Sequence, residues 1–263
     1  AHGRPGEFEL LCEKCGYSID GLPGAGSCPE CGRPVAASLP AARAGTPWQR
    51  SRTLGAWVRT NLRLLAHPSG VFGGMSIERR SARAFGRLNI AAAAAALTLG
   101  PAVLTVVQLA RDEAPFMLRD LTWPGAASAA RWTLTGGTVL GLWICAAAVL
   151  WLLTTIESWG IRSFGRVHRS RITPTIAALI TAHATAGWLA GGLLGAGGYA
   201  AGLFLHERAM HHNVGDVRGA FLLAPALLPM LGAAAGLLWF EAIVYVGVAG
   251  CRFANRTAPR AGR

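Results

Sequence analysis

Four cysteines near the start of the chain have the spacing of a metal site. They form two C-x-x-C pairs, each followed by glycine, in the sequences C-E-K-C-G and C-P-E-C-G, and they are Cys12, Cys15, Cys28 and Cys31. Each pair is predicted to bend into a knuckle, and two knuckles complete a tetrahedral shell of four sulfurs that suits zinc. Because this shell has no open position for water, we expect a structural Zn²⁺ that supplies folding energy to a small head.

Two other uses of these cysteines are compatible with their spacing. Iron in a rubredoxin-like four-thiolate site has similar knuckles, although the connection between the two pairs is short here. Disulfides are the second alternative, and they are disfavoured if the head lies in the reducing cytosol. The remaining cysteines, Cys145 and Cys251, have no partner at ligand spacing and are predicted to be small packing residues.

The rest of the chain has the composition of a membrane protein. Of its 263 residues, 52% are hydrophobic and only 14% are charged, and the mean hydropathy is +0.37. A helix crosses a bilayer with about 20 apolar residues. Four stretches of sufficient length are predicted to span at 90–110, 132–155, 174–205 and within 220–250. The two later stretches are too short for two spans each, so we expect a kink, for example at Pro174, or an interfacial extension.

The stretches divide the chain into five predicted regions. They are a zinc ribbon at 8–35, a flexible linker at 36–53, amphipathic juxtamembrane helices at 54–89, a four-helix transmembrane domain at 90–251 and a basic tail at 252–263. The linker is rich in Ala, Pro, Gly and Arg, which predicts a tethered rather than a docked head. The juxtamembrane helices are expected to lie on the membrane surface or to form a solvated connector. The predicted fold class is an all-α membrane bundle of four transmembrane helices with a small N-terminal four-cysteine zinc ribbon.

Small residues are predicted to pack the transmembrane helices together. Glycines three or four residues apart lie on one helix face and allow a neighbouring helix to approach closely. The third stretch contains Gly187, Gly191, Gly195, Gly198 and Gly202, the second contains Gly137 and Gly141, and the fourth contains Gly232 and Gly236. The same faces suggest a homo-oligomer.

The distribution of charge predicts the orientation in the membrane. The net charge of +12 is concentrated before the first span, in the stretch 162–171 and in the tail, whereas the segments 111–131 and 207–218 are balanced. Basic segments remain on the cytoplasmic side of a membrane. We therefore expect a multi-pass protein of the inner membrane, with both termini and the head in the cytoplasm. The arginines also suit the anionic headgroups of the lipid bilayer. A nucleic-acid partner is not expected, because the only aromatic residue between the paired cysteines is Tyr17 and no arginine lies there.

Two ionisable residues fall within predicted spans. His183 and Glu241 lie at about the same distance, roughly 14 Å, from the cytoplasmic ends of their helices. Such a pair predicts a proton relay or a cation site. The alternative is that His183 bonds a neighbouring backbone carbonyl and Glu241 reaches the interface beside Trp239.

Several motifs resemble those of a bacterial family. The ribbon C-E-K-C-G-Y-S-I-D-G-L with C-P-E-C-G, then H-P-S-G-V-F, A-H-A-T-A-G-W and the closing C-R-F-A-N, is similar to zinc-ribbon membrane proteins of planctomycete-type bacteria. This resemblance implies an architecture and a bacterial inner membrane but no activity. The order of linker, helix and membrane region is also distantly similar to Yip-family membrane proteins, which act as scaffolds and usually have five spans.

These observations favour a binding role over catalysis. No phosphate loop, nucleophile elbow or dinucleotide fingerprint occurs, so an enzyme is not expected. The leading hypothesis is a membrane-tethered adaptor or scaffold, whose ribbon recruits a cytoplasmic protein partner. The alternative is a small transporter or channel that uses His183 and Glu241.

Overall fold

The computed structural model describes residues 8–120, 126–167, 170–211 and 218–256. Within these ranges the secondary structure is helical apart from two isolated β-bridges, which join Leu11 to Ser18 and Ser27 to Pro34. The two predicted connections with balanced charge and the basic stretch 162–171 lie partly outside the described residues. Most of the basic tail also lies outside them. The all-helical fold class is confirmed for the described part of the chain.

The helices fall into short ones near the start and long ones after them. The short helices are α1 (Pro47–Arg50), α2 (Leu54–Ala66) and α3 (Pro68–Gly74). The long helices are α4 (Arg79–Asp120), α5 (Ala126–Val167), α6 (Pro174–Ala184), α7 (Ala186–His211) and α8 (Arg218–Cys251). Two 3-10 turns, Val35–Ser38 and Pro40–Ala42, precede α1.

Four helical segments are long and apolar enough to cross a membrane, as predicted. They are Arg79–Ala110, Ala130–Gly165, Pro174–His211 and Phe221–Cys251. Each is longer than its apolar core, because backbone hydrogen bonds continue a helix beyond the residues that suit hydrocarbon. The second juxtamembrane segment is therefore not a separate helix, since it forms the first turns of α4.

The third span is interrupted at a position that differs from the predicted kink. Pro174 begins α6, where its missing N–H is harmless, and the Thr173 hydroxyl accepts a hydrogen bond from the Ile176 N–H at 3.2 Å. The interruption lies instead at Thr185, between α6 and α7. Helix α8 is assigned as one helix although it contains Pro225 and Pro229.

The chain divides into two compact units. Unit 1 comprises Ala1–Asn89, Leu153–Gly187 and Trp239–Arg263, and unit 2 comprises Ile90–Leu152 and Trp188–Leu238. The core of unit 1 contains the largest fully buried side chains, among them Phe72, Phe85, Phe240, Ile180 and Ile243. Unit 1 also contains the four-cysteine head.

Glycine packing joins α7 and α8 within unit 2. A Cβ atom on Gly191 would lie 2.6 Å from the Gly236 Cα, and one on Gly202 would lie 2.6 Å from the Pro225 Cα. The close approach predicted for these glycines is therefore confirmed. In contrast, a Cβ atom on Gly137 or Gly141 of α5 would meet nothing within 4 Å, so these two glycines do not pack a neighbouring helix in the described part of the chain.

The segment predicted to be a flexible linker is folded in the structure. Its 3-10 turns lead into α1, where the Thr46 hydroxyl accepts from the Gln49 N–H at 3.2 Å and the Gln49 side-chain oxygen accepts from the Thr46 N–H at 2.9 Å. Arg43 and Trp48 are buried, and the Trp48 indole N–H donates to the Ser81 carbonyl at 3.0 Å. Composition suggested a free tether, but these buried side chains give the segment specific contacts.

Candidate metal centre

The four predicted cysteines lie together in the structure. Their sulfur atoms are all within 4.8 Å of one another. Cys12 Sγ lies 3.5 Å from Cys31 Sγ, and Cys15 Sγ lies 3.6 Å from Cys28 Sγ. In a tetrahedral site with metal–sulfur bonds of about 2.3 Å, neighbouring sulfurs are roughly 3.8 Å apart. The cluster therefore fits a four-thiolate shell around one metal ion, and its cysteines are free rather than joined as disulfides.

Two knuckles with the same hydrogen-bond pattern hold these sulfurs. In the first, the Cys12 N–H donates to the Tyr17 carbonyl and the Gly16 N–H donates to the Cys12 carbonyl, both at 2.8 Å. In the second, the Cys28 N–H donates to the Arg33 carbonyl at 2.8 Å, and the Gly32 N–H donates to the Cys28 carbonyl at 2.9 Å. Gly16 and Gly32 have φ values of +80° and +70°, a conformation that glycine adopts without a steric cost. The glycine after each C-x-x-C pair therefore closes its knuckle.

A small apolar cluster supports the ligands from inside the head. Ile19 and Val35 are buried with Cys12 and Cys28, and three partly buried side chains pack against them, namely Leu10, Leu22 and Cys31. This cluster is too small to fold a domain of this length by hydrophobic burial alone. A metal held by the four cysteines would therefore stabilise the head.

The ligand thiols have different affinities for protons. Burial raises the pKa of Cys12, but hydrogen bonds from the backbone of Cys15 and Lys14 and from neighbouring thiols outweigh it and lower that pKa to about 6. Burial and the hydrogen bonds with the other cysteines raise the pKa of Cys15 to about 12. A metal binds the thiolate form of cysteine. Near neutral pH Cys12 is therefore already in the form that binds a metal, whereas Cys15 must first lose its proton.

The closing segment of the chain binds the first knuckle directly. The Asn255 side-chain oxygen accepts from the Leu11 N–H at 3.0 Å, and the Asn255 amide N–H donates to the carbonyls of Leu11 and Ser38, each at 2.6 Å. Two residues earlier, the Phe253 ring covers Gly16, where a Cβ atom would lie 2.7 Å from the ring. The head is therefore docked on other parts of unit 1.

A buried ion pair forms a second attachment of the head. The Arg43 guanidinium donates to both carboxylate oxygens of Glu13, at 2.8 and 3.0 Å. The same guanidinium donates to the carbonyls of Phe72 and Met75, at 2.9 and 3.2 Å. Glu13 lies between Cys12 and Cys15 in the sequence C-E-K-C, so this pair connects the first knuckle to α3.

Arg171 forms a third attachment, just before α6. Its guanidinium donates to the Ala254 carbonyl at 2.8 Å, to the Asn255 side-chain oxygen at 2.6 Å and also to the Glu9 carbonyl. The Arg171 backbone N–H donates to the Arg252 carbonyl at 3.0 Å. Arg171 is 6% exposed, so these carbonyl and amide oxygens accept hydrogen bonds that water would otherwise accept from the guanidinium.

The predicted pair of His183 and Glu241 does not form a hydrogen bond in the structure. His183 is fully buried, and its Nδ1 lies 2.9 Å from the Leu179 carbonyl oxygen. The imidazole ring stacks on Phe85 with centroids 5.1 Å apart, and Nε2 has no partner in the described part of the chain. Glu241 is exposed and interacts electrostatically with Glu157. This arrangement matches the alternative in which His183 bonds a backbone carbonyl.

The residues that attach the head were not identified as site residues from the sequence. Arg171 lies in the basic stretch 162–171, which indicates orientation, and Arg43 lies in the predicted linker 36–53. Asn255 lies in C-R-F-A-N, a motif that entered only through a family resemblance. Glu13 lies within the first C-x-x-C pair, but this position alone does not signal a buried ion pair, because Glu30 lies within the second pair and is exposed.

The four sulfurs provide a complete ligand set from the protein alone. All four donors are cysteine sulfurs, which suit zinc or iron, and a tetrahedral shell leaves no coordination position for a substrate. The cluster can therefore hold a metal with a structural role. Comparison of the chain with protein-family models, with curated proteins and with solved structures finds no match.

Proposed function

We propose that this chain is an adaptor of the bacterial inner membrane, which presents a structural zinc ribbon to a protein partner in the cytoplasm. The observation that carries the proposal is the closed four-sulfur cluster, which is attached to unit 1 through Glu13 and Arg43. A metal with four protein ligands supports binding better than catalysis. A head fixed by buried contacts also presents its outer surface in one orientation.

The face of the ribbon available for a partner has mixed polarity. The exposed residues of both knuckles and of the turn between them include Lys14, Tyr17, Asp20, Pro29 and Glu30. An exposed tyrosine among charges of both signs suits a protein interface. The two acidic residues make this face unsuitable for the phosphates of nucleic acid.

The membrane and compartment in this proposal depend on the distribution of arginine. Basic segments flank the spans on the side that contains the head, as the positive-inside rule requires for cytoplasmic segments. A reducing cytoplasm also keeps the four thiols available for a metal.

We place transport second to the adaptor role, because His183 bonds Leu179 and Glu241 is exposed. The two roles differ in their response to His183→Phe, which removes any proton relay but keeps an aromatic ring beside Phe85. An adaptor retains its partner in this variant, whereas a transporter that depends on the imidazole loses its flux.

The metal is tested by elemental analysis of the purified full chain. We expect one zinc per chain, which is lost in the Cys12→Ser, Cys28→Ser double variant. Cys145→Ser is the matched control, because Cys145 lies outside the cluster, and it should keep its zinc. Iron in place of zinc, or metal that survives in the double variant, would contradict the zinc ribbon.

The adaptor role is tested by photo-crosslinking in cells. A photoreactive amino acid at Tyr17, which is 41% exposed, should give one discrete protein adduct that disappears in the double cysteine variant. The control position is Tyr245, which is 78% exposed on a membrane-spanning helix and should not give this adduct. If Tyr17 gives no adduct, or the same adduct as Tyr245, the ribbon does not recruit a partner.

A further inference from the structure

A cavity of about 270 Å³ lies in unit 1, where the end of α2, the helix α3 and the segment just before α1 meet. Its walls include Thr46 and Pro47 at the start of α1, Arg63 in α2, and Gly74 in α3. The Gly45 N–H donates to the Gly74 carbonyl at 2.9 Å, which joins two of these segments. Sites for drug-sized ligands have volumes of about 300–1,000 Å³, so this cavity suits a somewhat smaller molecule.

The wall formed by α2 carries positive charge that no carboxylate balances. Arg63 and His67 line the cavity one helical turn apart, and both side chains are exposed to water. In the described part of the chain, neither side chain makes a hydrogen bond or an ion pair. The segment 31–77, which supplies the whole lining, contains no acidic residue. The cavity therefore has cationic and N–H groups that can bind an anion from solution.

The other walls add one hydroxyl group and open space. Thr46 is 3% exposed, and its hydroxyl accepts from the Gln49 N–H at 3.2 Å, which leaves the hydroxyl proton for donation to a ligand. A Cβ atom on Gly70 or Gly74 would meet nothing within 4 Å, so these glycines keep the cavity open. The remaining side chains, such as that of Val71, are apolar. A few polar groups in a mainly apolar wall are typical of small-molecule sites.

We propose that this cavity binds a small, water-soluble phosphate monoester, whose phosphate oxygens bond Arg63, His67 and Thr46. The arginine fork matches the oxygens of a phosphate group, and an imidazole donates an N–H whether it is neutral or charged. Three donor side chains suit the three terminal oxygens of a monoester better than the two oxygens of a carboxylate. Pro47 and Val71 give the organic part of the ligand an apolar surface, which a bare phosphate ion would leave uncovered.

The headgroup of phosphatidic acid carries the same phosphate chemistry, but the cavity has no surface for acyl chains. No leucine, isoleucine, methionine or aromatic side chain lines it. The exposed apolar residues of α2 are Leu54, Val58 and Leu62. They lie on the opposite side of the helix, because five residues place Val58 roughly 140° around the axis from Arg63. We therefore assign the phosphate to a soluble molecule rather than to a lipid.

The charge contact is tested by titration of the full chain in detergent with propyl phosphate, followed by phosphorus NMR. Arg63→Gln should weaken binding about tenfold, because it removes a charged hydrogen-bond donor. Arg59→Gln is the matched control, since it removes an exposed arginine of the same helix that does not line the cavity. It should weaken binding by at most about twofold in physiological salt. Equal losses in the two variants would show a general basic surface and overturn the proposal.

The position of the ligand is tested by filling the cavity. Gly70→Leu places a side chain in the open space and should abolish binding of propyl phosphate. Gly73→Leu makes the same change in α3 outside the lining and should bind like the parent. A Cβ atom meets nothing within 4 Å at either position, and leucine favours helix over glycine, so the thermal midpoint should not fall in either variant. If Gly70→Leu binds like the parent, the ligand lies outside the cavity and the proposal is wrong.

Competition experiments identify the class of the ligand. Propyl phosphate should bind at least about fivefold more tightly than inorganic phosphate, because its three carbons leave water for the apolar wall. Phosphatidic acid in the same detergent should not displace it at equal concentration. If inorganic phosphate binds as tightly as propyl phosphate, the cavity is a site for a free ion and the monoester is wrong. Displacement by phosphatidic acid would show that the phosphate belongs to a lipid, which would overturn the assignment to a soluble molecule.

Discussion

The side-chain amide of Asn255 bonds both backbone groups of Leu11, as the backbone of a neighbouring β-strand would. Its side-chain oxygen accepts from the Leu11 N–H at 3.0 Å, and its amide N–H donates to the Leu11 carbonyl at 2.6 Å. The two residues are 244 positions apart, and Leu11 directly precedes the ligand Cys12. One amide side chain thus satisfies both backbone groups beside the metal cluster, so the closing segment of the chain helps to position the head.

Replacement of this amide should loosen the head. Asn255→Ala leaves the buried N–H and carbonyl of Leu11 without partners, which costs about 1–3 kcal/mol for each unsatisfied group. We expect faster amide hydrogen exchange at Leu11 and through the first knuckle. Glu30→Ala, an exposed change in the second knuckle, is the control and should exchange like the parent. Unchanged protection of Leu11 in Asn255→Ala would show that the head is held mainly by other contacts.

The ion pair between Glu13 and Arg43 should contribute strongly to stability. The two side chains are 9% and 3% exposed, so Glu13→Ala leaves the Arg43 charge buried and without its carboxylate. Loss of one partner from such a pair costs about 3–5 kcal/mol. We therefore expect a clear fall in the thermal midpoint of unit 1.

The double variant Glu13→Ala, Arg43→Met separates the ion pair from the size of its side chains. Methionine keeps part of the packing volume of Arg43 and brings no unpaired charge. The double variant should be less destabilised than the sum of the two single variants, as expected for residues in direct contact. Additive losses in this cycle would show that the pair makes no net electrostatic contribution.

Metal binding by the head should depend on pH. The pKa of about 6 makes Cys12 a thiolate at about pH 7.5, whereas the pKa of about 12 leaves a proton on Cys15. Zinc must displace that proton, so binding should release protons and the apparent zinc affinity should rise with pH. Calorimetry in two buffers with different ionisation enthalpies counts the protons released. An affinity that does not change with pH would contradict this account of the ligand thiols.

The local parts of the site could be predicted because their causes are close together in the sequence. Each C-x-x-C pair and its following glycine contain the residues that form one knuckle, and the pairing of two knuckles needs only a short turn. The attachments of the head could not be predicted in this way. Arg43, Arg171 and Asn255 are distant from Glu13 and Leu11 in the sequence, and no periodic pattern specifies which carbonyls or carboxylates they bind.

The spans illustrate a similar division. Hydropathy located four segments correctly, because the cost of leaving polar groups in hydrocarbon is averaged over about 20 residues. It did not locate the helix ends or the interruption at Thr185, which depend on individual hydrogen bonds. For the segment 36–53, composition predicts too little structure. Its average composition is that of a linker, but the buried side chains of Arg43 and Trp48 make the contacts that order it.

The glycines of unit 2 allow a direct test of helix packing. Gly202→Ala places a methyl group 2.6 Å from the Pro225 Cα and 2.7 Å from the Ala224 carbonyl oxygen, so α7 and α8 must move apart. We expect a loss of about 1–3 kcal/mol in the free energy of unfolding. Gly137→Ala is the matched control, because its methyl group meets nothing within 4 Å and alanine favours helix over glycine by about 1 kcal/mol. The thermal midpoint should therefore fall for Gly202→Ala and stay constant or rise for Gly137→Ala, and equal shifts in the two variants would show that α7 and α8 do not require this close approach.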